Sequence, residues 1–154
     1  MDGNVVTVQR TIPAPPDRIF AMLADARQHP AFDGSGTVRS AGDGSGQPLR
    51  EGSVFGMSMR NGFSYSMVNT VIEYEQDRRI AWQTTGAGLL KHVIGGRIWR
   101  YQLEPVVGGT LVRESWDLSH DKQRLLISRS SMPALTEKNI ARTLERIETA
   151  VTSG

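Results

Sequence analysis

Apolar and polar positions alternate through Val5–Ile12, with Val6, Val8, Arg10 and Ile12 in one phase and Val5, Thr7, Gln9 and Thr11 in the other. That two-residue period and the β-branched content predict a strand. Pro13, Pro15 and Pro16 stop it. Proline suits the first turn of a helix, and Asp17 there favours the positive end of the helix dipole. A helix is therefore predicted over residues 15–26, burying Ile19, Phe20, Leu23 and Ala24. Pro30 disfavours helix at His29, so residues 27–36 read as a short broken helix or a loop. A short strand follows over 37–41, then a glycine-rich loop over 42–48.

Strands dominate the middle of the chain. Residues 53–59 form one. Asn61-Gly62 marks a hairpin, and residues 63–75 form the return strand. A two-residue turn would put Phe55, Met57 and Met59 on the face of Ser64, Ser66 and Val68. A three-residue turn would put them with Tyr65, Met67 and Val71, and the pattern leaves both registers open. Residues 79–85 set Ile80, Trp82 and Thr84 on one side. The glycine-rich but apolar segment 86–96 breaks the alternation. Residues 98–104 place Trp99, Tyr101 and Leu103 together. After the PVVGG turn, Val112, Glu114, Trp116 and Leu118 share a phase.

The last segment changes period. Ile140, Leu144, Ile147 and Val151 recur at 4-3-4 spacing, one face of a helix, with Leu135 before them. Ser131 is the expected N-cap, with Pro133 in the first turn. Residues 121–129 read as a short helix or an ordered loop. Strand, helix, short helix, about six antiparallel strands and a long helix make an α+β layer with one sheet face covered.

Composition narrows the class. The chain has 154 residues and no cysteine, which excludes disulfides and thiolate metal sites. One domain over residues 1–154 is expected. The net charge is +2, and the basic residues near the end alternate with Asp121, Glu137, Glu145 and Glu148, so no nucleic-acid surface is expected. The N-terminus lacks a basic and then apolar leader, and no apolar run nears the roughly 18–20 residues of a membrane span. A cytoplasmic protein without membrane insertion, as monomer or homodimer, is the expectation.

Two stretches carry a family likeness. IPAPPDRIFAMLADARQHPAFDGSG, and IAW followed by IWRYQLEPVVGGTLVRESWDLS, resemble the polyketide cyclase/dehydrase and lipid-transport proteins of the START/Bet v 1-like (SRPBCC) superfamily. The resemblance implies a helix-grip fold, a curved antiparallel sheet wrapped around the C-terminal helix, with a deep cavity between them. It also implies a small hydrophobic ligand such as a lipid, sterol or polyketide. The superfamily shares no catalytic motif, so none is carried over.

The residues themselves offer few catalytic signals. GSVFG and GMSMR lack the G-x-S-x-G spacing of a nucleophile elbow. His29, His92 and His120 have no metal-ligand spacing, and neither metal nor cofactor is expected. The cavity candidates are Phe55, Met57, Met59, Trp82, Trp99, Tyr101, Val112, Glu114, Trp116 and Leu144. Trp82, Trp99, Tyr101 and Trp116 serve equally as core or as a wall for a flat ligand. The methionines supply adaptable surface. Glu114, in phase with Val112 and Trp116, is either a ligand anchor or general acid, or else it pairs with an arginine such as Arg97 or meets water at the mouth. His29, Phe32, Asp33 and His92 are candidates for the entrance, with His29 and Asp33 as a possible acid/base pair. Three functions compete: a ligand carrier, a cyclase/aromatase-like or hydrolytic enzyme, and a co-chaperone-like interaction module.

Overall fold

The computed structural model describes residues 3–42 and 47–153; most of the loop expected over 42–48 lies outside them. Seven antiparallel strands form one sheet: β1 (Val5–Ile12), β2 (Val38–Gly42), β3 (Val54–Arg60), β4 (Ser64–Glu75), β5 (Arg79–Gly86), β6 (Gly95–Val106) and β7 (Gly109–Asp117), in the order β1-β7-β6-β5-β4-β3-β2. Four helices accompany them: α1 (Pro16–Leu23), α2 (His29–Phe32), α3 (Arg124–Ser128) and α4 (Met132–Thr152). The chain is α+β, with α4 held against the inner face of the sheet, the helix-grip arrangement.

Alternation assigns the two faces. Val6, Val112, Trp116, Leu103, Ile80 and Val71 turn inward and are buried. The outer face carries ion pairs instead: Arg100 binds Glu73 at 2.6 Å and approaches Asp117 at 3.7 Å. This is the division expected of a sheet covered on one side.

The Asn61-Gly62 hairpin takes the longer turn. Arg60 faces Ser64, Met59 faces Tyr65 and Met57 faces Met67, so three residues close the loop and the methionines share a face with Tyr65 and Met67. Gly62 sits at φ +79°, a conformation that favours glycine.

α1 ends earlier than the apolar pattern predicts. Asp25 is extended, and its carboxylate accepts from the Arg27 N–H at 3.1 Å to start a 3-10 turn over Ala26–Gln28. His29 then takes helical dihedrals (φ −56°, ψ −43°) directly before Pro30. Its ring Nε2 bonds the Leu23 carbonyl oxygen at 2.9 Å, which fixes a backbone conformation that a following proline disfavours. At α4, Ser131 occupies the N-cap position but makes no capping bond. Ser130 does that instead, its Oγ accepting from the Met132 N–H at 3.1 Å.

The inner face of the sheet is covered in two halves. Over one half, Ile19, Phe20 and Leu23 of α1 join Ile80, Leu103 and Val112 in a closed core. The C-terminal half of α4 adds Leu144, Ile147 and Val151 to that core, and Glu148 there pairs with Arg10 of β1 at 2.6 Å. Each such large side chain contributes about 1.5–3 kcal/mol by leaving water. Over the other half, no helix fills the space beneath the start of α4.

Candidate functional site

That unfilled half is a cavity of about 660 Å³, within the size range of small-molecule sites. Three strands build its floor. Trp82, Trp99 and Trp116 are directly opposed across β5, β6 and β7, so their rings form one row. The next inward position on β6 and β7 pairs Tyr101 with Glu114. Met57 and Met59 of β3 and Tyr65 and Met67 of β4 form a side wall. The roof is the first half of α4, through Leu135, Thr136, Asn139, Ile140 and Thr143. Phe63 and Leu135 are 68% and 57% exposed and stand at the rim.

A loop fastens the roof. The Gly34 N–H donates to Thr143 Oγ1 at 2.8 Å, and the Asp33 carbonyl accepts from Arg146. A Cβ on Gly34 would lie 2.1 Å from the Asn139 carbonyl oxygen; only glycine allows this approach.

The polar groups are few and specific. Glu114 is 2% exposed. Tyr101 Oη donates to its Oε1 at 2.8 Å, and Oε2 has no partner among the described residues. Burial pushes the carboxyl up to about 8, opposed by the tyrosine hydrogen bond and reinforced by Asp33. Glu114 is thus largely a neutral acid at pH 7. The Tyr101 hydroxyl is raised well above its ordinary range, by burial first and then by Glu114. Arg97, the example of a pairing arginine in one of the sequence alternatives for Glu114, bonds Asp121 at 3.0 Å instead.

His29 is also 2% exposed and stacks on Trp82, ring centroids 4.8 Å apart. Burial lowers it to about 4, so the imidazole is neutral at pH 7. With Nε2–H donating to the Leu23 carbonyl, Nδ1 is a bare acceptor, and it has no partner among the described residues. The His29–Asp33 acid/base pair does not form. Asp33 instead accepts from Ser35 Oγ at 2.7 Å and from the Val38 N–H at 3.1 Å, which shapes the loop.

Of the residues proposed from sequence, Met57, Met59, Trp82, Trp99, Tyr101, Glu114 and Trp116 line the cavity, as do His29, Phe32 and Asp33. His29 and Phe32 are buried within it rather than placed at its entrance. Four others do not line it. Phe55 lies behind His29 and Trp82, edge-on to both rings at 5.3 and 5.6 Å. Val112 and Leu144 belong to the closed core under α1 and the second half of α4. His92 is exposed, in the 3-10 segment Gly88–His92. The roof residues Thr136 and Thr143 were missed. Their signal is two threonines seven apart in a helix, one turn beside the apolar stripe.

Among the described residues, no cluster of three or more His, Asp or Glu could hold a metal ion. No helix among them is long and apolar enough to cross a membrane.

Solved structures share this architecture at low sequence identity. A protein from Arthrobacter aurescens aligns with a TM-score of 0.74 and 14% identity over 99% of this chain and 88% of its own. A Mycobacterium smegmatis protein gives 0.72 and 16% over 99% and 93%. A Mesorhizobium loti protein gives 0.70 and 14% over 97% of both chains. At such identity the likeness speaks for the fold alone. None of the curated proteins matches the chain. The family described as polyketide cyclase / dehydrase and lipid transport matches residues 4–152, nearly the whole chain, and the chain belongs to that family.

Proposed function

We propose that the protein binds and carries a small, predominantly apolar molecule in the cavity beneath α4. One observation carries this reading: half of the inner sheet face is roofed but not filled, and aromatic rings and thioethers line the gap. A gap of this size forfeits apolar contacts that a binding-neutral protein would gain by repacking. The row of tryptophans suits a flat or ring-bearing occupant, and Met57, Met59 and Met67 adapt to its outline.

Native mass spectrometry of the purified protein, with thermal unfolding against a panel of sterols, fatty alcohols and fused-ring aromatics, tests the reading. A ligand at a hundred times its Kd adds about 2.7 kcal/mol of stability, which raises Tm by about 5–10 °C for a chain of this size. A panel with no shift and no retained adduct overturns it.

A second reading, acid catalysis of dehydration or ring closure, is favoured by one feature. Tyr101 and Glu114 are hydrogen-bonded titratable groups in the same cavity, and Glu114 holds its proton at neutral pH. Its test is turnover of a β-polyketone analogue that Glu114→Gln abolishes while binding persists.

A further inference from the structure

Two polar atoms of the cavity residues lack partners among the described residues, Glu114 Oε2 and His29 Nδ1. A buried polar atom without a partner is costly, and proteins rarely leave one so. Both belong to side chains 98% buried, at the aromatic end of the cavity. Tyr101 already fixes Glu114 Oε1, which leaves Oε2 as the free end of the carboxyl. His29 Nε2 is tied to the Leu23 carbonyl, which leaves Nδ1 as an acceptor only.

The charges around the cavity narrow the choice of partner. Arg97 is the cationic residue among those lining the cavity, and it is engaged with the fully buried Asp121 carboxylate. A ligand carboxylate or phosphate brought to this end would be desolvated without a compensating cation, beside Glu114 and in the field of the Asp33 carboxylate. A hydroxyl meets none of these penalties. It accepts from Glu114 Oε2 when that oxygen carries the proton and donates to it when it does not.

We infer that the occupant is an uncharged alcohol or phenol, inserted with its hydroxyl at the aromatic end where Glu114 Oε2 is its hydrogen-bond partner. This rests on the carrier reading above and names the ligand class for the same cavity. It gives Glu114 a recognition role rather than a packing one.

Three probes that differ only at one tip test it: 1-pyrenebutanol, 1-butylpyrene and 1-pyrenebutyric acid, measured by equilibrium dialysis at pH 7. The wild type is expected to bind the alcohol at least about tenfold more tightly than the acid, the order expected for one buried hydrogen bond against one uncompensated charge. In Glu114→Met the alcohol should weaken about tenfold relative to the hydrocarbon, which should bind as well or better. Glu114→Gln, which keeps a donor and an acceptor in the same volume, should hold the alcohol within about threefold of wild type; if the methionine variant does not fold, Glu114→Leu takes its place. Equal binding of all three probes, or tighter binding of the acid, overturns the hydroxyl assignment while leaving an apolar carrier intact. An alcohol-to-hydrocarbon ratio unchanged in the apolar variant also overturns it. Failure of all three probes to bind overturns the carrier reading itself.

Discussion

Glu114 and His29 make the stability of the protein depend on pH in opposite senses. Burial holds Glu114 at about 8 against an ordinary 4.5. Between those values the folded state keeps a proton that the unfolded chain releases, so stability falls as pH rises. His29 is held at about 4 against an ordinary 6.5. Its contribution is present above about 6.5 and is lost as pH falls toward 4. The slopes oppose one another between about 4.5 and 6.5, which leaves Glu114 alone from about 6.5 to 8. Urea unfolding should show wild-type stability declining by about 2 kcal/mol over that upper window, at about 1.4 kcal/mol per pH unit. Glu114→Gln should lose most of the decline; a variant with the full slope would show that another group causes it. Tyr101→Phe removes the one hydrogen bond that lowers Glu114, so the carboxyl should titrate still higher, as followed by the carbon-13 shift of its side-chain carbon. An unmoved or lowered titration would mean that the bond does not form in solution.

At the scale of elements, the loop after α2 and the start of α4 act as one unit. Gly34→Ala should cost about 1–3 kcal/mol by overpacking against the helix backbone, and should loosen the cavity roof as read by faster amide exchange at Asn139 and Thr143. Slower or unchanged exchange would contradict the contact. Ion pairs divide by burial. Asp121 is fully buried while Arg97 is 17% exposed, so Arg97→Ala should cost about 3–5 kcal/mol by stranding a carboxylate. Arg10→Ala, from a pair 40% and 26% exposed, should cost about 1 kcal/mol or less. Equal costs would show that burial does not set the difference. Periodicity made most elements legible. Ile140, Leu144, Ile147 and Val151 announced α4, and all four are buried. What it did not reveal was local hydrogen bonding: Asp25 ending α1, Ser130 rather than Ser131 closing the turn before α4, and three residues in the Asn61 hairpin. Each depends on a side chain or turn geometry that carries no hydrophobic period.

On the scale of the whole molecule, the inner face is split between a plugged half and an open one. Strand alternation identifies which residues face inward but not how far along each strand the covering helix reaches. Val112 and Glu114 share a phase, yet one lies in the closed core and the other on the cavity. The same holds along α4, where Leu144 packs in the core and Ile140 roofs the cavity. Family likeness pointed to a cavity; only the placement of α1 decides where it stops. That division predicts that Val112→Ala and Leu144→Ala lower stability by about 2–4 kcal/mol without changing probe affinity more than about twofold, whereas Met57→Ala changes affinity with a smaller stability loss. A reversed pattern would place the ligand beneath α1.

The row across β5, β6 and β7 has one more consequence. The chain contains three tryptophans, and all of them line the cavity. Every photon the protein emits from indole therefore originates at the pocket wall. An arriving guest must alter that emission in colour or intensity, and so the molecule carries its own optical gauge of occupancy, needing neither dye nor tag.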